Sequence, residues 1–245
     1  MTSSIPTSSA AKLSTASKSK QSNFSNRTNS LPMNVLNKHS RQFTLDGNAG
    51  QMECLLDAPD DDAVPVGIAL VAHPHPLYGG TMENKVAHAL ARTFVGLGYV
   101  VARFNFRGVG ASEGVYDEGI GETDDMLIMY DHMTTEFPNL PVALCGFSFG
   151  TFVQARLQER LESEGRPAER LVLVGTAAGK WPMPPVPADT ILIHGEIDDT
   201  ITLTQVFDWA RPLDVPVIVI PGADHFFHRK LGHIKNLVTQ LWRRN

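Results

Sequence analysis

The sequence predicts one α/β domain with a mostly parallel, twisted sheet of about eight strands and helices on both faces. Continuous apolar runs alternate with segments whose apolar residues recur at helical spacing, an order typical of parallel strands joined by covering helices. The run at residues 66–71 contains no charged or polar side chain, as expected for a strand buried on both faces. With 245 residues, 42% of them hydrophobic, the chain can bury a substantial core.

The predicted elements begin with an antiparallel hairpin and continue as alternating strands and helices. Two alternating runs, residues 41–46 and 51–56, flank a short segment with glycine at both ends and predict the hairpin. The later strands are expected at 66–71, 99–104, 142–145, 171–174, 191–193 and 215–220. The helices are expected after the first of these strands, with Val86, Leu90, Phe94 and Leu97 on one face, then at 122–137, 149–161 and 206–213, and finally around Leu231, Ile234, Val238 and Leu241. Right-handed crossovers then give a sheet covered on both faces, with no cap domain.

The first 40 residues differ in composition from the rest of the chain. They contain four Lys, one Arg, no Asp or Glu, many Ser and Thr, and no apolar period. Such a segment cannot offset its chain entropy by burial, so residues 1–40 are expected to be a disordered extension before a domain at 41–245. No apolar stretch follows the basic residues, which argues against a secretory signal, and import into an organelle is the alternative interpretation. Met33 is an alternative start of the chain.

Charge and cysteine content bear on partners and location. The formal charge of −5 gives no electrostatic reason to expect nucleic acid or an anionic membrane surface as a partner. No apolar run approaches the roughly 20 residues that span a bilayer. The two cysteines, Cys54 and Cys145, lie in apolar strand-like runs, so both are expected to be buried, reduced thiols in a cytoplasmic protein. The oligomeric state does not follow from the sequence.

The segment Gly146-Phe147-Ser148-Phe149-Gly150 lies between a predicted strand and a predicted helix. A serine there occupies a sharp turn, and the flanking glycines remove the Cβ atoms that would clash where the backbone reverses. Its Oγ would then be exposed at the carboxyl end of the strand. The five-residue pattern is common by chance, but its position between strand and helix indicates a nucleophilic serine.

A nucleophilic serine requires a base and a group that orients the base. Asp198 follows the predicted strand at 191–193, and His225 follows the strand at 215–220. Because the carboxyl ends of parallel strands meet at one edge of a sheet, these side chains are expected to lie near Ser148. Asp199 is an adjacent alternative for the acid. For the base, the alternatives are His194, expected to be a structural turn residue, and His228, expected in the closing helix.

An oxyanion formed by attack of Ser148 would need hydrogen-bond donors. The amide N–H of Phe149, next to the nucleophile, is one expected donor. The second should come from the loop after the strand at 66–71. Pro74 and Pro76 have no N–H, which leaves the amide of His75 as the donor nearest the strand end, with Leu77 as the alternative.

Metal chemistry is the main rival interpretation. The pairs His73-x-His75 and His225-x-x-His228 could be imagined as a zinc site. Their spacing is loose, and the sequence contains no H-E-x-x-H and no paired Cys-x-x-Cys. We therefore expect no metal site.

With these residues identified, the chain resembles the α/β-hydrolase superfamily from about residue 41 onward. Three segments, residues 73–82, 103–114 and 146–150, are similar to compact bacterial proteins described as predicted hydrolases or esterases related to dienelactone hydrolases. The resemblance implies the Ser148, Asp198 and His225 triad and no metal or organic cofactor. Ser148 stands where dienelactone hydrolases have Cys, so lactone ring-opening is not implied.

The expected function is hydrolysis of small carboxylic esters through an acyl-enzyme. The alternatives are a thioesterase or acyltransferase, a peptidase, and a non-catalytic binding protein on the same fold. Residues 175–190, with four prolines, are too few to form a helical cap, so the site should be shallow and open. The candidate wall residues are Phe147, Trp181 and Met183. The natural substrate cannot be read from the sequence.

Overall fold

The computed structural model describes residues 35–37, 40–60 and 63–242. Most of the predicted extension, including Met33, lies outside these residues. The strands are β1 (Val35–Asn37), β2 (Ser40–Gly47), β3 (Gly50–Asp57), β4 (Gly67–Ala72), β5 (Tyr99–Phe104), β6 (Val142–Phe147), β7 (Arg170–Val174), β8 (Ile191–Gly195) and β9 (Val217–Ile220). The helices are α1 (Lys85–Gly96), α2 (Ile120–Glu136), α3 (Phe149–Ser163), α4 (Leu203–Ala210) and α5 (Leu231–Leu241), with short 3₁₀ turns at Pro76–Tyr78 and Arg211–Leu213.

The strands form one sheet in the order β1-β2-β3-β5-β4-β6-β7-β8-β9. The first three strands pair antiparallel, and β3 pairs antiparallel with β5. From β5 to β9 every pairing is parallel. This mostly parallel sheet confirms the predicted fold class. The strand missing from the sequence prediction is β1, three residues long, which precedes the predicted start of the domain at residue 41.

Helices cover the sheet on both faces because successive residues of a strand point to opposite sides. In β4, Ile68 and Leu70 pack in one core layer with residues of α2, α3 and α4, whereas Ala69 and Val71 pack in the other with α1 and α5. All six residues of β4, β5 and β6 are buried. The central strands are therefore held between two apolar layers, and only their ends reach the surface.

The described part of the chain contains no helix with the length and hydropathy needed to cross a membrane. Cys54 and Cys145 are both buried and free, as predicted. Burial raises the pKa of both thiols above the ordinary value, so neither carries the thiolate needed for reaction or metal binding.

Candidate active site

Ser148 forms the turn between β6 and α3. It follows Phe147, the last residue of β6, and directly precedes the first residue of α3. Its backbone has φ 54° and ψ −123°, a conformation that residues other than glycine rarely adopt. The Ser148 N–H donates a hydrogen bond to the carbonyl oxygen of Val174 in the neighbouring strand, at 3.0 Å. A non-glycine residue held in such a strained conformation is typical of a functional site.

The two glycines of the turn are required by close backbone contacts. A Cβ atom at Gly146 would lie 2.5 Å from the carbonyl oxygen of Gly150. A Cβ atom at Gly150 would lie 2.5 Å from the carbonyl oxygen of Ala72, the last residue of β4. Any side chain at either position would push α3 away from the ends of the strands, which confirms the sequence argument for both glycines.

Ser148, His225 and Asp198 form a continuous chain of hydrogen bonds. The Ser148 hydroxyl lies 2.9 Å from His225 Nε2, and His225 Nδ1 lies 2.7 Å from Asp198 Oδ2. With the imidazole proton on Nδ1, the hydroxyl donates to Nε2 and the ring donates to the carboxylate. All three residues are buried, with 4–6% of their surface exposed. The three residues predicted from the sequence therefore lie together.

Asp198 is fixed by the backbone that follows it. Its Oδ1 accepts hydrogen bonds from the N–H groups of Thr200 at 3.0 Å and Ile201 at 2.8 Å, which leaves Oδ2 for His225. Asp199, the alternative acid, is exposed, and its Oδ1 lies 3.5 Å from the Thr200 hydroxyl. The geometry favours Asp198 as the residue that orients His225.

The structure corrects the predicted placement of His194. This residue was expected in a turn but lies within β8, which extends past its apolar run because His194 pairs with Val219 of β9. It is fully buried, and its Nε2 lies 2.8 Å from the carbonyl oxygen of Ile201 and 3.4 Å from Asp198 Oδ2. Burial lowers the pKa of His194, so the ring is neutral. Its hydrogen bond to the Ile201 carbonyl oxygen holds the loop that contains Asp198.

His228 also lies elsewhere than expected. It belongs to the turn before α5, not to the helix, because Phe227 and Arg229 have φ values of 52° and 59° that no helix accommodates. Its ring is exposed, and its Nδ1 lies 2.6 Å from the Asp224 carboxylate. His225 is thus the histidine that reaches Ser148.

The backbone amides of His75 and Phe149 have no acceptor among the residues that the structure describes. The amide of Leu77, the alternative donor, is engaged because it donates to His75 Nδ1 at 3.1 Å. Phe149 is the first residue of α3, where amides have no partner within the helix. These two amides are the ones that the sequence predicts as oxyanion donors.

His73 secures the loop that carries His75. It is fully buried, with Nδ1 2.6 Å from the carbonyl oxygen of Pro74 and Nε2 accepting the N–H of Phe106 at 2.9 Å. Burial lowers its pKa to about 3, so the ring stays neutral. Both ring nitrogens of His73 therefore form hydrogen bonds within the fold.

Among the described residues, no group of three or more His, Cys, Asp or Glu is arranged to hold a metal ion.

The segment at residues 103–114 has a structural role that the sequence did not reveal. Asn105 accepts the N–H of Met82 at 2.9 Å through Oδ1 and donates to Glu53 at 2.7 Å through Nδ2. Arg103 is almost fully buried, donates to the carbonyl oxygen of Met82 at 2.6 Å and pairs with Asp57 at 2.8 Å. These bonds anchor the far end of the loop that carries His75. The only sign of this role in the sequence is that Arg103 and Asn105 are polar residues at the end of the otherwise apolar strand β5.

The Ser148 hydroxyl opens into a cleft of about 530 Å³. Of the three candidate wall residues, Trp181 lines this cleft, whereas Phe147 is buried beneath it with its ring 5.2 Å from that of His225. Met183 is not part of the lining. The sequence did not predict the other wall residues, which come from four separate loops: Pro74, Tyr78, Gly79, Gly80, Asn84, Lys180, Thr200, Ile201 and Phe226.

A mostly parallel sheet with a serine turn after its central strand, and no cap between β7 and β8, defines an α/β serine hydrolase without a lid. Comparison with known proteins supports this class and adds a family. The chain belongs to the family described as "Serine aminopeptidase, S33", whose model matches residues 77–224.

Individual relatives agree with this class. The chain is 36% identical to an uncharacterized protein of Rickettsia prowazekii over 183 residues, covering 70% of this chain and 76% of the relative. A crystal structure from Xanthomonas campestris, described as an α/β serine hydrolase without lid, has a TM-score of 0.76 and 33% identity, and the match covers 85% of this chain and 95% of that one. Lysophosphatidylserine lipase ABHD12 of Danio rerio is 35% identical over 106 residues, 42% of this chain but only 28% of the lipase.

The backbone strain at Ser148 can be measured. We predict that Ser148→Gly is more stable to urea unfolding than Ser148→Ala by about 1 kcal/mol, because glycine adopts positive φ without strain. The larger chain entropy that glycine loses on folding offsets only part of this gain. Both substitutions remove the hydroxyl, so the lost hydrogen bond to His225 does not contribute to the difference.

Ser163, the last residue of α3, provides the matched control. There the order should be reversed, because alanine is the better helix former by up to about 1 kcal/mol. Equal stabilities of the two position-148 variants would show that the turn stores no strain.

Proposed function

We propose that the chain is a carboxylic ester hydrolase that works through an acyl-enzyme, with Ser148 as nucleophile, His225 as general base and Asp198 as the residue that orients the base. The hydrogen-bond chain from Ser148 Oγ to His225 at 2.9 Å and on to Asp198 at 2.7 Å carries this proposal. Such a chain is the arrangement that activates a serine hydroxyl.

In the first half-reaction, Ser148 Oγ attacks the ester carbonyl carbon while its proton passes to His225 Nε2. The carbonyl oxygen becomes an oxyanion, for which the amides of His75 and Phe149 are the proposed donors. The Asp198 carboxylate stabilises the imidazolium. His225 then gives the proton to the departing alcohol oxygen, the tetrahedral intermediate collapses, and an ester between Ser148 and the acyl group remains.

In the second half-reaction, water replaces the alcohol. His225 Nε2 accepts a proton from water as the water oxygen attacks the acyl carbon, and a second oxyanion forms at the same amides. Return of the proton to Ser148 Oγ releases the carboxylic acid and restores the enzyme. The open cleft suits this step because water can reach the acyl-enzyme.

Ester hydrolysis is favoured over peptidase activity by the lining of the cleft, and over a non-catalytic role by the alignment of the three residues. An aminopeptidase must bind the positive α-amino group of its substrate, yet none of the residues that line the cleft is Asp or Glu. A non-catalytic binding protein would have no need for a serine aligned with a histidine and a buried carboxylate. A thioesterase or acyltransferase would use the same residues with a different leaving group or acceptor.

The proposed location of the protein is the cytoplasm, which the two free cysteines support.

The roles of the three residues predict a pattern of kinetic losses. Ser148→Ala and His225→Ala should each lower kcat for 4-nitrophenyl acetate by about 10⁴- to 10⁶-fold, and the double variant should be little worse, since the residues act as a unit. Asp198→Asn should lower kcat by about 10⁴-fold because it favours the wrong imidazole tautomer.

The matched controls are Asp199→Asn and His228→Ala, which change the neighbouring acid and the exposed histidine. Both should retain near-normal kcat. A large loss in Asp199→Asn with normal activity in Asp198→Asn would move the orienting role to the neighbouring carboxylate.

The absence of a cap predicts the acyl-chain preference. Each methylene buried in a deep tunnel would contribute about 0.8 kcal/mol, so kcat/KM would rise several-fold per carbon if such a tunnel existed. In a series of 4-nitrophenyl esters, we expect kcat/KM to flatten or fall beyond about six acyl carbons, because the open cleft has little wall to bury more methylenes.

The same substrate series gives a second readout. No rate increase should occur when the ester exceeds its solubility, since that increase requires a lid that opens. A steady rise to long chains, or a jump at an oil–water interface, would show that another segment, such as residues 116–121, closes over the site.

A further inference from the structure

The charge that lines the cleft is opposite in sign to that of the whole molecule. The chain carries 26 acidic and 21 basic residues, yet the cleft lining includes Lys180 and no carboxylate. Lys180 is exposed in the loop between β7 and β8, and its ammonium group forms no ion pair or side-chain hydrogen bond within the described part of the chain. Its charge is therefore available to a bound molecule.

Helix ends add to this positive potential. Asn84 and Ser148, which line the cleft, immediately precede α1 and α3. Neither helix has an acidic residue in its first turn. A helix amino terminus carries partial positive charge, and here no carboxylate of the helix offsets it. Glu83, next to α1 in sequence, lies 3.8 Å from buried Arg103 and does not line the cleft.

The neighbours of Lys180 indicate which half of a bound ester, the acyl group or the alcohol, it would contact. It is adjacent to Trp181, whose ring lies 5.4 Å from that of His75 and 5.3 Å from that of Phe149. These are the two residues whose amides would hold the substrate carbonyl oxygen. Phe226, which also lines the cleft, has its ring 5.2 Å from the His225 ring that would protonate the alcohol. An acyl group that runs from the carbonyl carbon past Trp181, away from His225, would therefore reach Lys180.

We propose that the site takes esters whose acyl half carries a negative charge, such as monoesters of dicarboxylic acids, and that Lys180 binds this charge. The inference rests on the proposed ester hydrolase function. The charge does not take part in bond making, so Lys180 contacts it equally in the ground state and the transition state. Its loss should therefore raise KM and leave kcat unchanged.

The experiment compares two esters of equal acyl length, 4-nitrophenyl hydrogen adipate and 4-nitrophenyl hexanoate, with the Ser148→Ala rate subtracted as background. The adipate-to-hexanoate ratio of kcat/KM should fall about fivefold in Lys180→Met, the size of a partly exposed ion pair, and further in Lys180→Glu. Lys235→Met, which removes an exposed lysine of α5 outside the cleft, should leave the ratio unchanged. In about 1 M salt, where the Debye length is about 3 Å, the wild-type ratio should approach that of Lys180→Met.

The hexanoate arm separates the two claims. Ser148-dependent hexanoate hydrolysis tests the ester hydrolase function alone, and its absence would count against that function. If hexanoate is hydrolysed but the ratio is the same in wild type and Lys180→Met, the anionic-acyl inference is wrong.

A third arm places the charge on the alcohol, by comparing 4-acetoxybenzoate with phenyl acetate. Lys180→Met should not change that ratio. A Lys180 dependence found there, and not with adipate, would overturn the assignment of the charge to the acyl half.

Discussion

The site depends on the single residue that joins β6 to α3. Ser148 adopts a strained backbone conformation, and the surrounding hydrogen bonds hold it there. Its N–H is bound by Val174, and its carbonyl oxygen accepts the Thr151 hydroxyl at 2.6 Å. The same hydroxyl accepts the N–H of Ala177 at 2.9 Å. These bonds connect the turn, the start of α3 and the loop after β7, and they fix the position of the Ser148 hydroxyl at the carboxyl end of β6.

Parallel register brings the partners of Ser148 to the same place. Phe147 pairs with Val174, Val174 pairs with Ile193, and Gly195 pairs with Ile220, so β6 to β9 end at one edge. Asp198 and His225 follow the last two of these strands within a few residues. Short loops at the ends of rigid strands hold side chains more accurately than long loops can, which explains how three residues distant in sequence form bonds of 2.7 and 2.9 Å.

The sequence predicted the sheet, the helices and the group of Ser148, Asp198 and His225 because each of them follows from strand periodicity and strand ends. It did not predict the roles of His194 and His228. The extension of β8 through His194 depends on its pairing with β9, and the turn at His228 depends on positive φ angles at its neighbours, neither of which has a periodic signal. The walls of the cleft come from loops whose paths are set by tertiary contacts. The bond of Asn105 to Met82 fixes the loop that contains Tyr78, and the bond of Ala177 to Thr151 fixes the loop that contains Lys180.

Covalent labelling of Ser148 is the most direct test of the central claim, that the β6–α3 turn presents an activated nucleophile. The native protein is treated with diisopropyl fluorophosphate, digested, and mapped by mass spectrometry. We predict one adduct, on Ser148, that forms rapidly in the wild type and at least about 100-fold more slowly in His225→Ala, since general-base assistance contributes that much or more. Labelling of another residue, or an equal rate in His225→Ala, would contradict the account.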